Sequence, residues 1–99
     1  MHVISRTKLR NFCKKHADSC EALDDWYKIA SKADWGDLLE VQTAYNQAEA
    51  VGNFTVFNIK DNKYRLVVSM NYENQVIYVK YVLTHAEYDK DNWKNDPYY

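Results

Sequence analysis

The hydrophobic period of this chain changes once, at Gly52, and that single change constrains its fold more than any other feature. Before Gly52 apolar residues recur at helical spacing. After it they alternate and are rich in β-branched and aromatic side chains. Leu9, Phe12 and Cys13 lie at i, i+3 and i+4 behind Ser5, a good N-cap, which predicts a helix over 6–16. Ala22, Leu23, Trp26, Tyr27, Ile29, Ala30 and Ala33 give a second helix a broad apolar face, with Asp18 or Ser19 as its cap. Trp35-Gly36 interrupts that pattern, and Asp37 can cap a short third helix reaching about Ala44.

Beyond Gly52, residues 54–59, 63–71 and 76–83 read as strands, separated by turns at Asp61-Asn62 and Glu73-Asn74-Gln75. Three consecutive strands with tight turns make an antiparallel meander. His2-Val3-Ile4 suits a short edge strand. The order is then βαα(α)βββ, an α+β fold with the N-terminal helices packed on one face of a small antiparallel sheet. Residues 1–90 form one domain, and 91–99, with the only proline, are expected to be a loosely held tail.

Composition excludes several classes. The 99 residues are 46% hydrophobic with two Gly and one Pro, enough for one core and unlike a disordered chain. No apolar run approaches the roughly 20 residues of a membrane span. The first residues, charged by Arg6, do not resemble a signal peptide, so a cytoplasmic protein without membrane contact is expected. In that setting Cys13 and Cys20 are expected as two thiols on a helical hairpin rather than a disulfide framework. Cys13, His16 and Cys20 have a metal-like spacing. A closed zinc site needs four ligands, however, and only His2 lies nearby, so no metal and no cofactor is expected.

The formal charge of −1 hides strong segregation: residues 1–16 carry +5, 17–51 carry −6, 52–85 carry +2 and 86–99 carry −2. A local positive surface is therefore compatible with a near-neutral total. Alternation locates one. Tyr64, Leu66, Val68 and Met70 share the face that must meet the helices, which leaves Lys63 and Arg65 on the open face. In the next strand Ile77, Val79, Tyr81 and Leu83 form the apolar set, so Tyr78 and Lys80 join Lys63 and Arg65. Such a surface suits a phosphate backbone with a base stacked beside it. On alternation alone it is more readily the pattern of an ordinary solvated sheet face.

His85 follows the last strand, in a short turn that also brings Glu87, Tyr88, Asp89 and Lys90 to one end of the sheet. A proton-transferring group beside cationic phosphate ligands is what RNA backbone cleavage requires. The 2′-hydroxyl must lose a proton, the phosphorane must be stabilised, and the 5′-oxygen must gain a proton. RNA supplies its own nucleophile. No dinucleotide, P-loop, nucleophile-elbow or metalloprotease motif competes with this reading.

The motif F-N-I-x-x-N-K-Y-R-L, followed by Y-V-K-Y-V-L-T-H-A-E-Y-D-K, resembles the signature of HigB-type toxins of the RelE-like toxin–antitoxin superfamily. The N-terminal M-H-V-I-S-R-x-x-L-R-x-F, the central W-Y-K-I-A-S-K-A-D-W and V-G-N-F-T-V-F-N extend the likeness over about residues 1–90. The resemblance implies a RelE-like fold and a metal-independent endoribonuclease that cuts mRNA held by the ribosome and so blocks translation. It implies a helix-turn-helix antitoxin of the HigA type as partner, with operator DNA contacted only through that antitoxin. It places Arg65 as a phosphate-stabilising arginine, with Lys63 sharing that role, and makes His85 and Tyr88 the proton-transfer candidates. Asp89 and Lys90 would orient them or hold phosphate, and Lys60, Tyr78 and Lys80 complete the RNA-binding set. Apart from the resemblance, a non-catalytic nucleic-acid or ribosome-binding module, or a protein-interaction domain using the basic first helix, fits the same residues.

Overall fold

The local chemistry of the first half produces the helices where spacing places them. In a computed structural model describing residues 1–99, the Ser5 hydroxyl accepts the Thr7 amide and starts α1, Arg6–Lys15. Ser19 precedes α2, Cys20–Lys32, but neither expected cap acts as one: the Ser19 hydroxyl donates to the His16 carbonyl, and Asp18 meets Lys63 and Tyr64. The Asp37 carboxylate accepts the Glu40 amide and starts α3, Leu38–Ala44. The strands are β1 (His2–Ile4), β2 (Glu49–Val51), β3 (Phe54–Ile59), β4 (Tyr64–Asn71) and β5 (Val76–Thr84), followed by a short helix α4, His85–Asp89. The spatial order is β1-β5-β4-β3-β2.

The antiparallel meander β3-β4-β5 is as expected, and two features extend it. β1 runs parallel to β5, so the sheet is mixed rather than wholly antiparallel; α1 and α2 carry the chain from that edge back across one face. The hairpin of β2 and β3 around Gly52 was not anticipated, because Glu49-Ala50-Val51 is too short and too exposed to carry a strand pattern.

The main core lies between the N-terminal helices and one sheet face. Leu9, Leu23, Trp26, Ala30 and Val41 pack against Phe57, Leu66, Val68, Ile77 and Val79. Trp26 and Tyr45 meet Phe57 edge-on, each at 5.4 Å between ring centroids.

The opposite face holds a second, smaller cluster of Phe54, Val56, Val67 and Trp93, with Tyr81, Leu83, Tyr88 and Tyr99 packed around it. Two expectations change as a result. Residues 91–99 are not loosely held: Trp93 is buried, the Tyr81 hydroxyl donates to Asp96 at 2.7 Å, and the Asn53 amide donates to the Tyr99 carbonyl at 3.2 Å. Nor do Tyr81 and Leu83 join Ile77 and Val79 on the helix-covered face. Val67 pairs with Tyr81 while Val68 pairs with Val79, which makes Lys80 the extra residue of a β-bulge. One added residue reverses the alternation, so Tyr81 and Leu83 cross to the second cluster.

Cys13 and Cys20 are joined by a disulfide, with Cα atoms 4.8 Å apart, where two free thiols were expected. The expectation came from the compartment. The tight connection between α1 and α2 instead brings the two side chains together. Both sulfurs are thereby engaged, and His16 stacks on Phe12 at 4.4 Å.

Candidate active site

The β3–β4 connection turns back sharply because Lys60, Asp61 and Asn62 all adopt left-handed backbone conformations, with φ of 55°, 51° and 72°. The Lys63 amide closes the turn on the Lys60 carbonyl at 3.0 Å. Tyr64 then pairs with Thr84, and the His85 amide donates to the Lys63 carbonyl at 3.2 Å. The turn and α4 therefore share one end of the sheet.

α4 begins in a capping box. The Thr84 hydroxyl accepts the Glu87 amide at 3.2 Å, and the Glu87 carboxylate accepts the Thr84 amide at 2.9 Å. The bond from the Thr84 amide, ahead of other causes, holds the Glu87 carboxyl below its ordinary range. His85, Tyr88 and Asp89 then stand at i, i+3 and i+4 and are neighbours on the helix surface. His85 Nδ1 lies 2.8 Å from Asp89 Oδ2, with both side chains more than half exposed.

Arg65 faces this helix from β4. Its guanidinium lies 5.3 Å from the Tyr88 ring centroid, and its Nη1 donates to the Asn62 carbonyl at 2.7 Å. Half-buried Tyr88 stacks on Trp93 at 5.1 Å with 17° between planes. Burial first, and the Glu49 carboxylate second, push the Tyr88 phenol up; the Arg65 charge opposes them.

Arg65, His85, Tyr88 and Asp89 are thus brought together, with exposed Lys60 and Lys90 at the same end of the sheet. Three other candidates are placed differently. The Lys63 ammonium is not on the face of Arg65 but pairs with Asp18, from the α1–α2 connection, and the Tyr64 hydroxyl donates to that carboxylate at 2.6 Å. Lys63 belongs to the turn and not to the strand, so alternation does not govern where it points. Tyr78 pairs with Ile4 at the far end of β5, six residues and about 20 Å along the strand from Thr84. Lys80 occupies the bulge, where it meets Asp96 at 3.6 Å and the Tyr98 ring at 4.9 Å. Its charge is already partnered. Asp18 and Trp93 entered no sequence-based site. Asp18 carried only a helix-capping signal, and its side chain turns to Lys63 and Tyr64 instead, whereas Trp93, Tyr98 and Tyr99 within a nine-residue tail mark a segment with a surface to cover.

Residues 19–91 match the family model described as HigB_toxin, RelE-like toxic component of a toxin–antitoxin system. The chain belongs to this family of RelE-like toxins. It is 27% identical over 93 residues to the mRNA interferase HigB of Escherichia coli O6:H1 strain CFT073, covering 91% of this chain and 90% of that protein. A toxin of such a system has an antitoxin as its partner. No helix is long and apolar enough to cross a membrane.

Proposed function

We propose that this toxin is an mRNA endoribonuclease that inhibits translation. The observation that supports this best is the convergence of Arg65, Tyr88 and the His85–Asp89 pair at one end of the sheet. In this reading His85 accepts the proton of the RNA 2′-hydroxyl. Asp89 holds the Nδ1–H, which leaves Nε2 free as the accepting nitrogen. The 2′-oxygen forms a bond to phosphorus, the bond to the 5′-oxygen breaks, and that oxygen takes up a proton. The products are a 2′,3′-cyclic phosphate and a 5′-hydroxyl. Arg65 is the phosphate ligand, preset by the Asn62 carbonyl, and stabilises the charge that builds on the phosphorane. Tyr88, whose phenol is pushed up by burial, stays protonated near neutrality and serves as the donor to the leaving oxygen.

The remaining roles follow from this reading. Lys60 and Lys90 extend the cationic rim along the RNA backbone, and Lys63 contributes once phosphate displaces Asp18. Tyr78 and Lys80 are too far along β5, or too engaged, for the scissile phosphate, and are assigned to flanking RNA. The message would be cut while held by the ribosome in the cytoplasm. A HigA-type helix-turn-helix antitoxin would neutralise the toxin and carry it to operator DNA.

Mapping the 5′ ends of mRNA after brief induction tests the proposal. New ends should appear with the wild-type chain and vanish with His85→Ala and with Arg65→Ala, each of which should cost on the order of 10²-fold or more in cleavage. Salt-dependent RNA or ribosome binding without scission would instead establish a non-catalytic binding module.

A further inference from the structure

α4 carries three of the groups assigned to the reaction, His85, Tyr88 and Asp89, yet it is five residues long and buries none of them fully. A helix that short has no intrinsic stability, so the orientation of its side chains is set from outside. The capping box fixes its first turn. What fixes Tyr88 lies beyond it, in the segment past residue 91 where the family match ends. Asp91 adopts a left-handed conformation, φ 61°, and turns the chain back, which lays Trp93 on Tyr88. The indole Nε1–H donates to the Tyr88 carbonyl at 3.0 Å, and the two rings stack at 5.1 Å. Trp93 itself is only 4% exposed and meets the Tyr99 ring edge-on at 5.5 Å. Tyr88 thus has a rigid aromatic support on one contact and the Arg65 guanidinium on another.

We infer that Trp93 is a positioning residue for Tyr88, holding both the backbone and the ring of that tyrosine in register with Arg65. The inference rests on the nuclease reading, and it adds a structural reason for the tail: without it the Tyr88 ring keeps only the Arg65 contact and loses its stacking support. A misplacement of about 1 Å in such a group is enough for a rate loss near 10²-fold.

A double-mutant cycle on purified toxin cleaving mRNA in a translation mixture tests this, with kcat and KM separated and folding checked by thermal melting. Trp93→Ala should lower kcat by about 10-fold or more with little change in KM, and Trp93→Phe, which keeps a stacking ring, should restore most of it. In a Tyr88→Ala background, Trp93→Ala should cost nothing further. Equal losses in both backgrounds, or a folded Trp93→Ala protein with wild-type kcat, would overturn the inference. If Trp93→Ala melts below the assay temperature, Trp93→Leu and Trp93→Phe carry the same cycle. A Tyr88→Ala protein with wild-type activity would sink the role of Tyr88 and the inference with it. A wild-type chain that cleaves nothing would sink the nuclease reading first.

Discussion

Charged side chains at the site are held by partners that differ in kind. Arg65 is tied by a backbone carbonyl and an aromatic ring, neither of which neutralises its charge, so it stays available to an anion. Lys63 is tied by a carboxylate and is available only by exchange. Asp18, the carboxylate in question, is held below its ordinary value of 3.8 chiefly by the Lys63 ammonium, then by the Tyr64 hydroxyl. Because the folded protein lowers this pKa, the stabilisation is complete above the unfolded value. It is lost as pH falls through the folded one. Asp18→Asn should therefore flatten the acid limb of the stability curve below about pH 4, while the wild-type chain loses stability there. Urea midpoints from about pH 6 down to about pH 2 will show it; parallel curves for the two proteins would contradict the pairing.

Among the elements, α4 and the Lys80 bulge do most to place the site. The bulge turns Tyr81 and Leu83 to the face that carries Arg65, and so provides the apolar floor on which α4 and the tail rest. The capping box is the only side-chain anchor for the start of α4. Replacing its hydroxyl by Thr84→Ala should cost about 1 kcal/mol, concentrated in that helix. The expected readout is faster amide exchange at Glu87 and Tyr88 with little change in β3 and β4, together with reduced mRNA cleavage. Unchanged exchange at Glu87 would mean that the His85–Lys63 backbone bond and the tail hold α4 without the cap.

At the scale of the whole molecule, the sheet is covered on both sides. The helices bury one face, and α4 with the tail buries part of the other, which explains why β3 is buried almost throughout. The Cys13–Cys20 bridge closes only a short loop, seven residues apart in sequence. By loop-closure entropy it stabilises the chain by about 2 kcal/mol, on the order of 10 °C in Tm for a domain of this size. Reductant should produce that drop in the wild-type protein and none in Cys13→Ser or Cys20→Ser. Calorimetry with and without dithiothreitol distinguishes the cases.

The change of hydrophobic period at Gly52 separated α1–α3 from the meander β3-β4-β5, but gave no sign of β2 before it or α4 after it. Ser5 and Asp37 marked two helix starts, because capping depends on residues within one turn. Alternation placed Arg65 and Leu66 on opposite faces of β4, because that rule is local to a continuous strand. It failed at Lys63, just outside the strand, and past Lys80, where one inserted residue reversed the faces. The motif T-H-A-E-Y-D-K placed the proton-transfer candidates after the last strand without showing that it folds as a capped helix. Only the tertiary structure decided that Asp18 holds Lys63, that Asp96 holds Lys80, and that Trp93 braces Tyr88. Each of the three is a contact between segments with no shared local pattern, and its energy exists only once the sheet has brought them together.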